Sequence, residues 1–93
     1  MQHHIIVKWN DTVTDKLALI PAIDALFQNT TTIPGVHQVE LFPNVIDRPN
    51  RYDLMIVMTM DEEALPVYDA CPWHKQWKQE YGGMIEKKAI FDK

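Results

Sequence analysis

Cysteine is nearly missing from this 93-residue chain: Cys71 stands alone. It has no partner for an internal disulfide, so nothing asks for an oxidising compartment. Glycine is scarce too, and 3 Gly beside 6 Pro excludes collagen-like and low-complexity readings. Positive charge is in short supply. Lys and Arg total 9 against 13 Asp and Glu, a net charge of −4, whereas proteins that coat nucleic acid or anionic membrane need clustered cations. No nucleic-acid or membrane partner is therefore expected. Long apolar runs are absent as well. The longest, Leu54 to Val57 extended through Met60 with Thr59 inside it, is strand-sized and far from the ~18 residues of a membrane span. Met1-Gln2-His3-His4 and Ile5-Ile6-Val7 lack the basic start and apolar stretch of a signal peptide, so the expected compartment is the cytoplasm.

What remains is an ordinary globular composition, 46% hydrophobic and 24% charged, sized for one domain over residues 1–93. Ile5, Val7 and Trp9 alternate with His4, Ile6 and Lys8, the period-2 signature of a strand. Thr14 is a candidate helix cap, and Leu19, Ile23, Leu26 and Phe27 form an amphipathic stripe. Pro21 inside it predicts a kink or a late start. Ile33-Pro34-Gly35 turns into a second strand, Val36 to Phe42, and a polar loop follows from Pro43 to Arg51. Tyr52 to Met60 is the strongest strand. Asp61 offers a cap for the next helix, and Cys71-Pro72 breaks that helix because a residue before proline avoids the helical region. Trp73 to Tyr81 is a second helical piece, and Met84 to Asp92 a final strand.

The order β-α-β-β-α-β predicts an α+β, ferredoxin-like fold: a four-stranded antiparallel sheet with the helices on one face. The third strand complicates this. Leu54, Ile56, Met58 and Met60 make one apolar face, yet Met55 and Val57 make the other apolar too, as in strands buried on both sides. Two helices cover one face only. The economical cover for the other is a second copy of the chain, so a homodimer is expected.

Candidate chemistry gathers at Tyr68, Cys71 and His74 around the helix break. On an unbroken helix Tyr68 and His74 would stand about 120° apart; the break makes convergence on one pocket geometrically open. A packed tyrosine and a histidine that caps the break are the plainer readings of the same residues. His3 and His4 point to opposite faces of a strand, and Cys71 with His74 supplies only two ligands, so no metal site is expected.

His4-Ile5-Ile6-Val7-Lys8, Ile33-Pro34-Gly35-Val36, Tyr52-Asp53-Leu54 and, above all, Tyr68-Asp69-Ala70-Cys71-Pro72-Trp73-His74 resemble the stress-responsive dimeric α/β-barrel (Dabb) family. The resemblance runs from His4 to Asp92. It implies two sheets pairing into a shared α/β barrel, a small organic ligand, and no cofactor. By resemblance to the polyketide-cyclase branch, His74 matches a general base and Tyr68 the phenol that binds the reacting carbonyl oxygen. His4 and Asp92 match supporting, substrate-binding groups. The implied enzyme is a cofactor-independent cyclase, lyase or isomerase. Its rivals are a non-catalytic stress-associated dimer and a monooxygenase or haem-degrading relative with the same fold. Cys71 stands where the family usually has histidine, and Trp73 where it usually has a small residue.

Overall fold

The computed structural model describes residues 1–93. Four strands, β1 (Gln2–Trp9), β2 (Val36–Pro43), β3 (Leu54–Met60) and β4 (Ile85–Asp92), alternate with α1 (Ile20–Gln28), α2 (Leu65–Ala70) and α3 (Pro72–Tyr81). The strands form one sheet in the order β2-β3-β1-β4, with every neighbouring pair antiparallel. This is the ferredoxin-like arrangement, its second helix in two pieces.

Period-2 alternation sets the helix-covered face. His3, Ile5, Val7 and Trp9 of β1 are buried, as are Leu54, Ile56, Met58 and Met60 of β3. Ile23, Leu26 and Phe27 of α1 close over them with Tyr68, Trp77 and Tyr81. Trp77 is the keystone of that layer. Its ring lies 5.2 Å from Phe27, 5.2 Å from Tyr81 and 6.4 Å from Trp9, centre to centre, separations at which aromatic pairs attract beyond their buried area.

The prolines act as helix starts. Pro21 and Pro66 fall in the first turns of α1 and α2, and Pro72 opens α3, where the missing N–H costs nothing. A short 3-10 turn, Leu17–Leu19, precedes α1, so the helix starts late rather than kinks. Two expected caps are replaced. Asp15, not Thr14, accepts the Ala18 N–H at 3.2 Å. Asp61 makes no side-chain cap; its carboxylate pairs with His37 Nε2 at 3.0 Å instead. Strand β3 begins at Leu54, two residues after the expected Tyr52. Asp53 is spent as an anchor, its backbone N–H donating to Val7 O and its carboxylate accepting the Trp9 N–H, each at 2.8 Å.

The opposite face of the sheet carries no helix. Register places Val57 between Glu40 and His4, with Phe91 beyond His4. The next row runs Phe42, Met55, Ile6, Ala89. Phe42 and Phe91 are 44% and 62% exposed, so an apolar stripe with exposed ends crosses all four strands.

Candidate functional site

Tyr68 is placed by α2, a helix too short to be stable alone, held by packing of its inner side on the sheet. The side chain is 1% exposed, and its hydroxyl has no hydrogen-bond partner. A buried polar group without a partner costs roughly 1–3 kcal/mol, and native structures rarely keep one without cause. Burial, reinforced by the charges of Cys71 and Asp69, raises the phenol above its ordinary titration range. It therefore stays protonated at neutral pH, a donor with nothing to donate to.

Two imidazoles flank it. The His74 ring centre lies 4.8 Å from that of Tyr68, and the His3 ring approaches edge-on at 5.7 Å. His74 reaches this position through the break at Cys71-Pro72. Cys71 caps α3, its Sγ accepting the His74 backbone N–H at 3.4 Å, while extended backbone at Cys71 (ψ 158°) turns the chain. His74 Nδ1 lies 2.9 Å from the carbonyl oxygen of Asp69. A carbonyl only accepts, so Nδ1 carries the proton and Nε2 keeps its lone pair. The ring thus ties α2 to α3, the plainer of the roles weighed from sequence.

His3 pairs through Nδ1 with Asp92 Oδ1 at 2.5 Å. A carboxylate on Nδ1 fixes the tautomer and orientation of an imidazole and supports positive charge on it. Asp92 lies on β4, the edge strand, in register with His3. Ile90, two residues earlier on the same face, is 49% exposed. The cluster of Tyr68, His74, His3 and Asp92 therefore sits on the helix side of the sheet, beside the edge strand β4.

Of the residues expected at the site, the structure brings Tyr68, His74 and Asp92 together. His4 is turned away. It shares a face with Ile6 and Lys8, on the side of the sheet without helices, and its ring packs against Phe91 at 6.2 Å. The neighbour His3 takes the place expected for His4. The parity of the strand was the signal: residues in phase with Ile5, Val7 and Trp9 face the core. The space between helices and sheet is filled by Phe27, Tyr68 and Trp77, all buried. Two cavities open elsewhere, about 250 and 370 Å³, both walled in part by Pro43 and Asn44 at the far end of the sheet. In the smaller one, Lys16 Nζ donates to Asp53 Oδ1 at 2.9 Å, a bond that raises the lysine's pKa. No group of three or more His, Cys, Asp or Glu is arranged to hold a metal ion, and no helix is long and apolar enough to cross a membrane.

No protein-family model matches this chain, and no curated protein matches it by sequence. Solved structures do match by shape. A dimeric ferredoxin-like protein of unknown function from Thermobifida fusca YX superposes with a TM-score of 0.79 at 20% identity, over 97% of this chain and 85% of its own. A Dabb family protein with a ferredoxin-like fold from Mesorhizobium loti gives 0.72 at 17% identity, over 99% and 92%. The hydroxynitrile lyase from Passiflora edulis gives 0.73 at 14% identity, over 97% and 87%. These likenesses establish the ferredoxin-like fold, the one a Dabb family protein also has.

Proposed function

We propose that this Dabb-type chain works in the cytoplasm as a homodimer, its two sheets paired into a shared barrel. Each protomer binds a small carbonyl-bearing organic molecule at Tyr68 and His74 and acts on it without a cofactor, as a lyase, cyclase or isomerase. The observation that carries this reading is the Tyr68 hydroxyl, buried, protonated and without a partner beside two imidazoles. A carbonyl oxygen is the acceptor it lacks. As negative charge develops on that oxygen, the phenol donor becomes stronger, which is how a preorganised donor lowers a barrier. His74 Nε2, the nitrogen not engaged by the Asp69 carbonyl, is the base that takes the proton next to the ligand carbonyl. The His3–Asp92 pair, its imidazole 5.7 Å from the Tyr68 ring centre to centre, supports charge beside it. A neighbour of the same fold, from Passiflora edulis, is a hydroxynitrile lyase, which supports lyase chemistry within this class. Dimeric neighbours and the uncovered apolar stripe support the homodimer.

A second reading has its own support. Phe27, Tyr68 and Trp77 fill the space between helices and sheet, as befits a non-catalytic dimer held for structure or for association.

Titration with a panel of small aldehydes, ketones and cyanohydrins, followed by NMR of the backbone amides, separates the two. Shifts at residues 68–74 and at His3, lost in Tyr68→Phe, support the ligand site. No shift with any member of the panel leaves the non-catalytic dimer. A Soret band on titration with haem would favour the haem-degrading relative.

A further inference from the structure

The apolar stripe on the helix-free face has a titratable group at its centre. His4 lies opposite Val57 of β3 and Phe91 of β4, with Ile6, Met55 and Ala89 in the next row. Its Nδ1 is 3.1 Å from the carbonyl oxygens of both Gln2 and Phe91. Carbonyls only accept, so Nδ1 carries the proton and the lone pair belongs to Nε2. In this form the ring is neutral and its backbone-facing donor is satisfied. Taking up a second proton puts a charge at Nε2 in the middle of an apolar surface.

We infer that His4 makes the pairing of two sheets proton-sensitive: a second copy seats on this face while His4 is neutral and is expelled when it is charged. This rests on the homodimer proposed above. The occupant is a second copy because the stripe is continuous from Phe42 on one edge strand to Phe91 on the other, both exposed. A charge brought under such a cover must be desolvated, which is costly without a partner. The charged groups on the same face offer little relief. Glu40 is separated from His4 by Val57. Lys8 and Lys87 pair across β1 and β4 one row beyond Ile6, with the Lys8 ammonium held by the Pro49 carbonyl. Lys93 pairs with Gln2 through both backbone hydrogen bonds. Lysines outnumber the side-chain carboxylates, and two-fold pairing doubles the excess. His3 and Asp92 answer each other on the helix side, with the sheet between them and His4.

The sign follows. If the charged ring is confined to separated chains, association weakens as pH falls through the imidazole range, with two protons excluded per dimer. Each pH unit below the imidazole range then weakens the dimer by up to about 100-fold. Sedimentation equilibrium of the whole chain at about pH 7.5 and about pH 5.5 tests this, with far-UV circular dichroism confirming the fold. The expected result is a dimer that weakens about 100-fold in acid, and a His4→Phe dimer whose affinity hardly changes. Should His4→Phe fail to fold, His4→Gln, polar and unable to ionise, gives the same comparison. Equal wild-type affinity at both pH values, or equal weakening in the His4 variants, overturns the inference and leaves the homodimer intact. A wild-type monomer at pH 7.5 overturns the homodimer itself.

Discussion

At position 68 the chain keeps a phenol that has nothing to bond to, and this shapes its response to alkali. Burial raises the Tyr68 hydroxyl above the ordinary phenol range, with Cys71 and Asp69 adding to the effect. A group whose folded pKa is raised contributes stability that is complete below the unfolded value, near ~10, and lost as pH climbs past it. Urea midpoints measured between about pH 9 and 11 should therefore fall with pH, and fall less in Tyr68→Phe. His74 adds a second test. Removing its ring breaks the Nδ1 link to Asp69, so His74→Ala should melt lower by an amount corresponding to about 1 kcal/mol. His74→Asn, which can keep a donor near that carbonyl, should recover part of the loss. The histidine pair in β1 shows how far residues can be read from sequence. The resemblance named Tyr68, His74 and Asp92, and the structure links them through His3. The same resemblance pointed to His4, while strand parity, visible in Ile5, Val7 and Trp9, pointed to His3.

Elements were easier to read than their ends. Pro72 opens α3 as its sequence promised, because a proline at the first helical position gives up an N–H that has no partner anyway. The cap at Asp61 failed for a reason no local window contains: His37, 24 residues earlier, takes the carboxylate. Gly35 is the tightest point of this region. Its φ is +91°, and a β-carbon there would lie 3.2 Å from Ala64 Cβ and 3.3 Å from Asp61 Oδ2, while its carbonyl accepts the Asp61 N–H at 2.8 Å. Left-handed backbone alone costs a side chain about 1–2 kcal/mol. Gly35→Ala should lower stability by about 1–3 kcal/mol in chemical denaturation, since neither neighbour can withdraw freely.

For the molecule as a whole, the fold class was legible in the order of its elements, and the second apolar face was legible because β3 carries apolar side chains at even and odd positions alike. Met55 is the natural probe of the pairing, since it is only partly buried in the protomer and a charge there is tolerable until a second sheet arrives. Met55→Lys should halve the mass seen by light scattering, from about twice 10.9 kDa to the 10.9 kDa of one chain. What the sequence could not show is that the layer between helices and sheet is full. Pocket volume depends on how Phe27, Trp77 and Tyr68 interlock across three elements, and no pattern along the chain encodes that. A molecule so tightly filled that still leaves one hydroxyl unpaired gives up stability at that spot, the usual mark of a functional group. Tyr68→Phe weighs that cost against its use. Removing the hydroxyl should leave folding unharmed and raise Tm by a few degrees, since 1 kcal/mol is worth about 4–8 °C at this size. Ligand-induced NMR shifts at residues 68–74 should vanish at the same time. A Tyr68→Phe protein that melts lower than the wild type and binds the same panel unchanged would contradict the account.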